Sequence, residues 1–206
     1  MKIVNRAAVV FSVMLLLSAC EWSAEPATGT HQVGDSGIEH TQHGSSPTAE
    51  EAANDTVTDM KRIDIIDSQG TKVGRAALTE TVEGVKLQVE VSGLPPGKHG
   101  LHFHSVGACV APDFKTAGAH FNPETKKHGF DNPEGHHAGD LPNLEIGSDG
   151  GGKAEFINKK VTLARDKANS LVKPGGTSLV IHTGPDDYKT DPTGESGGRI
   201  ACGVIK

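Results

Sequence analysis

Long apolar runs are almost missing from the 206 residues: one occurs, Ala7 to Leu17, so a polytopic membrane protein is excluded. Aromatic residues make up 4% and hydrophobic residues 35%, whereas Gly (26) and Pro (11) are frequent. That balance argues against a helical bundle and for a turn-rich β protein. A basic excess is absent too. With 20 Lys+Arg against 26 Asp+Glu the formal charge is −6, so no nucleic-acid partner is expected. Cysteine is scarce at three, but histidine is abundant at 11, the first sign of metal chemistry.

The acidity is local. Residues 21–60 carry Glu21, Glu25, Asp35, Glu39, Glu50, Glu51, Asp55 and Asp59 and no Lys or Arg. Removing these acids, and Lys2 and Arg6 near the start, leaves equal numbers of each sign over 61–206. Residues 1–19 combine a basic start with a short apolar run and read as an export signal. Leu17-Ser18-Ala19-Cys20 resembles the lipobox of bacterial lipoproteins, in which the cysteine is lipidated and becomes the mature N-terminus. The alternative is an ordinary cleaved signal with Cys20 incidental. The lipobox places the protein outside the cytoplasm, anchored to the outer face of the cell membrane or in the periplasm, where disulfides form. Residues 20–60 are small, polar and acidic and read as a disordered tether, roughly 35 Å across as a flexible coil. His31, His40 and His43 fall inside it and read as solvated linker histidines.

From Lys61 to Lys206 the texture changes. Val85, Leu87, Val89 and Val91 alternate strictly with polar residues, which places them on one face of a strand. Arg62–Asp67, Val73–Thr81, Gly100–His104, Asn143–Ile146, Ala154–Ile157, Ser178–His182 and Ile200–Ile205 are the other strand candidates, and Leu94-Pro95-Pro96-Gly97 reads as a turn. Eight short strands without a helical period predict an all-β antiparallel sandwich or barrel. Two long irregular stretches, 105–140 and 183–198, are expected to be functional loops.

Those loops hold most of the histidines. His102 and His104 are two apart on a strand, so both rings leave the same face, which suits a shared metal. The following loop offers His120, His128, His137 and Asp140, and His182 ends another strand. Gly100-Leu101-His102-Phe103-His104, Gly118-Ala119-His120-Phe121-Asn122-Pro123, Lys127-His128-Gly129 and His137-Ala138-Gly139-Asp140-Leu141-Pro142-Asn143 resemble the copper,zinc superoxide dismutase family. So do Val180-Ile181-His182, Asp186-Asp187 and Gly198-Arg199-Ile200-Ala201-Cys202-Gly203. The motifs follow the family's order, and the family fold, an eight-stranded Greek-key β-barrel, agrees with the strand count.

Carried over motif by motif, the resemblance implies copper on His102, His104, His120 and His182, and zinc on His120, His128, His137 and Asp140, with His120 bridging. Imidazole nitrogens with an open position suit redox copper, and three imidazoles with a carboxylate close a tetrahedral zinc site. Asp186 matches the aspartate that accepts from ligand histidines of both sites. Cys109 and Cys202 match the family's disulfide. His99 matches a structural position, and His136 falls outside the ligand spacing and is expected to be exposed. The implied activity is dismutation of superoxide to dioxygen and hydrogen peroxide, with His120 releasing copper on its reduction and taking, then returning, a proton, and Arg199 docking the anion. Lys189 is a candidate for the wall of a positive funnel. A lipid-anchored copper or zinc store, or copper donor, on the same fold is the rival, but it leaves Arg199 without a role. The resemblance admits a homodimer without showing which surface would pair.

Overall fold

The computed structural model describes residues 59–206. The segment read as an export signal, Cys20, and the three histidines of the segment read as a tether lie outside the described residues.

Nine strands follow in order: β1 (Met60–Asp67), β2 (Lys72–Thr81), β3 (Gly84–Val91), β4 (Gly97–His99), β5 (Leu101–His104), β6 (Leu144–Ile146), β7 (Gly152–Asn158), β8 (Thr177–His182) and β9 (Arg199–Ile205). No α-helix occurs among the described residues; a three-residue 3-10 turn, Lys115–Ala117, is the nearest to one. All eight expected strands are present, with ends shifted by at most two residues. The first begins at Met60, one residue inside the segment read as tether. The ninth strand, β4, starts at the Gly97 read as part of a turn: Pro95-Pro96 ends just before it, and its three residues pair with β6.

Seven strands form one curled antiparallel sheet in the order β5-β8-β9-β1-β2-β3-β7. β4 runs through Gly100 into β5 at one edge, and β6 lies beside β7 at the other. The small β4–β6 pair therefore stands between the two edges of the large sheet and completes the barrel. The alternation in β3 holds: Val85, Leu87, Val89 and Val91 are all buried, together with Ile63 and Ile65 of β1, Leu78 of β2 and Leu179 and Ile181 of β8. Each such side chain contributes about 1.5–3 kcal/mol.

Three long connections leave the barrel, not two. Residues 105–143 and 183–198 correspond to the expected loops, the first running three residues further than expected. The third, 159–176, buries Val161, Leu163, Leu171 and Val172 in the core. Glu80 of β2 holds it by accepting from Thr162 Oγ1 at 3.0 Å and from the Leu163 N–H. It is a core-filling segment with polar residues on its outer side, which is why no clean period marks it. A second small core, of Phe114, Ala117, Val180 and Cys202, lies beneath the start of the first loop.

Candidate metal centre

The strand that carries His102 and His104 also templates the loop that follows it. Phe103 N–H donates to Gly139 O, Phe121 N–H to Phe103 O and Gly139 N–H to Phe121 O, each at 2.8 Å. Single bridges pair His104 with His120 and His102 with Asp140. A Cβ at position 139 would collide with Phe103 O, so this close approach requires glycine. Residues far apart in sequence are thus stitched beside β5, and His182 arrives from the neighbouring β8, where the β8–β9 register shifts.

The first donor group is His102, His104, His120 and His182, all buried, with one ligand atom of each within 4.8 Å of the others. The hydrogen bonds assign the tautomers. His104 Nδ1–H donates to Gly118 O at 2.9 Å and His182 Nδ1–H to Gly197 O at 3.3 Å. The Nε2 lone pairs of both rings then face each other at 3.3 Å, an arrangement without a hydrogen bond that a cation between them would relieve. His102 Nε2–H donates to Asp186 Oδ2 at 2.7 Å, which leaves its Nδ1 bare. His120 Nε2 also lacks a partner. Four nitrogens without protons, in a buried polar pocket, fit a copper ion.

The second group converges on one oxygen. Asp140 Oδ1 lies 3.2 Å from His120 Nδ1, 3.1 Å from His128 Nδ1 and 3.3 Å from His137 Nδ1. Asp140 Oδ2 instead accepts the Gly129 and His137 N–H groups at 2.9 and 3.0 Å, so Oδ1, hydrogen-bonded to His120 Nδ1, is the oxygen turned to the three rings. His128 Nδ1 and His137 Nδ1 are buried without a hydrogen bond. Three imidazoles and one carboxylate at these spacings form the closed donor set that suits zinc. His102 also approaches His120, His128 and Asp140. Its Nε2 is committed to Asp186, however, and His137 Nδ1 completes the convergence on Asp140 Oδ1. His120 is common to both groups, Nε2 to the first and Nδ1 to the second.

Asp186 links them. Its Oδ2 accepts from His102 and its Oδ1 from His128 Nε2–H at 2.9 Å, so a single carboxylate fixes one ring in each group. Gly194 packs against this contact: its φ is +63°, and a Cβ there would collide with Asp186 Oδ1.

The first donor group resists protonation. Burial holds His120 down at about 4 and His182 at about 3, and it lowers His102 and His104 as well. Burial also disfavours charge on His128, but the carboxylates of Asp140 and Asp186 outweigh it and raise the ring to about 9. Against the effect of burial, close imidazoles hold both carboxyls well below the usual carboxylate range, those of His120, His128 and His137 for Asp140 and those of His102 and His128 for Asp186.

Arg199 opens β9 beside the first group. Its Nη1 donates to Phe114 O and its Nη2 to Gly118 O, each at 2.6 Å. Gly118 O is the same carbonyl that accepts from His104, so guanidinium and ligand ring share one anchor. Cys109 and Cys202 form a disulfide, Cα–Cα 5.7 Å, that ties the start of this loop to β9 near Arg199.

The remaining candidates also have places. His99 is buried and structural, with Nδ1 2.7 Å from His182 O and Nε2 2.9 Å from Pro95 O. His136 is not exposed as expected: it is half-buried, packed edge-on against Phe130 with ring centroids 4.4 Å apart. Lys189 is exposed, its N–H donating to Asp187 Oδ1 at 2.9 Å. Sequence reasoning did not single out Asp191, whose Oδ1 accepts the His128 N–H at 2.8 Å, or Asn143, which bonds the Asp186 backbone. Nothing local marks either, because the partners lie 63 and 43 residues away.

The fold and site define an all-β protein with two four-donor metal groups that share one histidine. The family model for copper/zinc superoxide dismutase matches residues 72–205, and the chain belongs to that family. It is 53% identical over 144 residues to superoxide dismutase [Cu-Zn] 1 of Aquifex aeolicus, covering 69% of this chain and 85% of that one. It is 45% identical over 139 residues to superoxide dismutase [Cu-Zn] of Caulobacter vibrioides, covering 66% and 80%. Among solved structures, a superoxide dismutase-like protein from Bacillus subtilis superposes with a TM-score of 0.69 at 39% identity, over 70% of this chain and 97% of that one. The Cu/Zn superoxide dismutase from Brucella abortus gives 0.59 at 29% identity, over 72% and 100%.

Proposed function

We propose that this domain converts two superoxide ions and two protons to dioxygen and hydrogen peroxide. Copper would be held by His102 Nδ1 and by His104, His120 and His182 Nε2, and zinc by His120, His128 and His137 Nδ1 and Asp140 Oδ1. Copper bound there would supply the one-electron couple for oxidation of one superoxide and reduction of the next. Arg199 docks the anion with the guanidinium hydrogens that Phe114 and Gly118 do not occupy, and those two carbonyls fix its direction. His120 would hold and return a proton at Nε2, the nitrogen without a hydrogen-bond partner, when that nitrogen is not engaged by copper. Asp140 and Asp186 keep the rings oriented. Zinc has no redox role and orders the loop.

The observation that carries this reading is the Gly118 carbonyl shared by His104 and Arg199. It supports an anion-docking role for Arg199 beside the His104 ring, and a metal store or donor has no use for one. The test loads the purified chain with copper and zinc and measures metal content together with superoxide removal. Rapid removal at full occupancy is expected. Full occupancy without activity would favour the store.

The chain is proposed to be exported and lipid-anchored through Cys20, on the outer face of the cell membrane or in the periplasm, with residues 21–60 as tether. The lipobox-like Leu17-Ser18-Ala19-Cys20 supports this. Cys20→Ser is expected to move the protein from the membrane fraction to the soluble fraction or to leave it unprocessed, and normal anchoring of that variant would refute the anchor. Homodimer formation is proposed with it, to be read from the mass in solution.

A further inference from the structure

Three residues beyond Asp140, Asn143 reaches across to the second loop. Its Nδ2–H donates to Asp186 O at 2.9 Å, and its Oδ1 accepts the Asp186 N–H at 2.8 Å. Both backbone groups of Asp186 are therefore satisfied by one side chain. Asn143 is itself held, because its own N–H donates to the Tyr188 hydroxyl at 2.7 Å. Tyr188 returns to the same aspartate, its N–H donating to Asp186 Oδ1 at 2.7 Å. Its carbonyl accepts the Asp131 N–H at 2.9 Å and so grips the loop that carries His128 and His137.

The chemistry of the side chain explains the choice. A primary amide offers a donor and an acceptor on one short arm, and here both meet a single backbone. Aspartate at this position has no donor for Asp186 O, and alanine would leave both Asp186 groups without partners. The Asp186 carboxylate aims His102 at the first donor group and His128 at the second, so a shift of its backbone is felt in both.

We propose that Asn143 is a positioning residue that couples the two metal sites. Through the Asp186 backbone it sets the carboxylate that orients His102 and His128, and the Tyr188 hydroxyl locks it in place. The proposal rests on the assignment of copper and zinc to the two donor groups.

The test compares the wild-type chain, Asn143→Ala, Asn143→Asp and Tyr188→Phe, each loaded with copper and zinc. Zinc affinity is read by chelator competition, the copper environment by electron paramagnetic resonance, and folding by circular dichroism. In Asn143→Ala zinc affinity is expected to fall on the order of 10-fold. The copper spectrum should also change, although all four copper donors are intact, and a merely structural role would not produce that change. Asn143→Asp, which keeps the acceptor for the Asp186 N–H, should fall between alanine and wild type. A folded Asn143→Ala with wild-type zinc affinity and copper spectrum would overturn the proposal. Should that variant not fold, wild-type values in both Asn143→Asp and Tyr188→Phe would do the same. Failure of the wild-type chain to take up both metals would overturn the ligand assignment, and the proposal with it.

Discussion

Arg199 separates an enzyme from a metal store at the level of one side chain. It is half-buried, and burial works against its charge while Asp113 supports it. Two main-chain carbonyls nonetheless hold it at 2.6 Å. Neither carbonyl belongs to a ligand residue, and His104 keeps its own bond to Gly118 O when the arginine is removed. Arg199→Ala is therefore expected to leave copper and zinc content near normal while slowing superoxide removal. A hydrogen bond to a charged group contributes about 1.5–3 kcal/mol, or about a 10- to 150-fold loss in the second-order rate if docking limits it. Lysine at this position should rescue only part, since it keeps the charge without the fork. Stopped-flow rates on metal-replete protein would check this, and a wild-type rate in the alanine variant would exclude Arg199 as the docking group.

At the scale of elements, the first loop depends on what pins it to the barrel. The Cys109–Cys202 bond spans 93 residues, and Phe114 and Ala117 share a small core with Cys202 and with Val180 of β8. These contacts place the Phe114 and Gly118 carbonyls that hold Arg199. Replacing both cysteines by serine is expected to lower stability by about 4–5 kcal/mol in the chain-entropy model. It should also lower the superoxide rate of the loaded protein by freeing the loop under Arg199. Denaturant unfolding and kinetics on the same sample would show both effects, and a stable variant with an unchanged rate would deny the loop this dependence. Legibility in the sequence followed the same division. The alternation in β3 and the His102–His104 pair obey a period of two, so strand and ligand face were readable from residue type alone. The other ligands were readable only through the family's motifs, because their convergence depends on main-chain stitching between Phe103, Phe121 and Gly139. β4 was hidden by Pro95-Pro96-Gly97, and the 159–176 segment by buried residues without a period. Asn143 and Asp191 carry no local signal, since their roles are contacts across loops.

Among the described residues the most strongly shifted titrating groups lie in one buried cluster, and the expected response to pH rests on it. Burial is the main reason that His102, His104, His120 and His182 lie below their usual value, with His120 at about 4 and His182 at about 3. In the unfolded chain the same rings titrate near about 6.5. As pH falls below that value the unfolded state binds protons that the folded state refuses, so stability is lost on the acid side. Asp140 and Asp186 add to this at lower pH. Their depressed carboxyls contribute stability above about 3.8, the unfolded value, and it is lost as pH falls further. His128 has the opposite sign. Raised to about 9 despite its burial, by Asp140 and Asp186, it contributes fully below about 6.5, and that contribution is lost as pH rises through about 9. Four histidines act against one, so the acid limb is steeper than the alkaline limb. For the metal-free chain, the urea midpoint is expected to be highest near neutral pH, to drop steeply by about pH 5 and to drop gently by about pH 9.5. Metal binding needs these rings deprotonated, so copper retention against a chelator should weaken only as pH falls toward about 4, where the folded His120 ring takes a proton. A urea midpoint unchanged between about pH 7 and about pH 5 would show that the buried histidines do not govern acid stability.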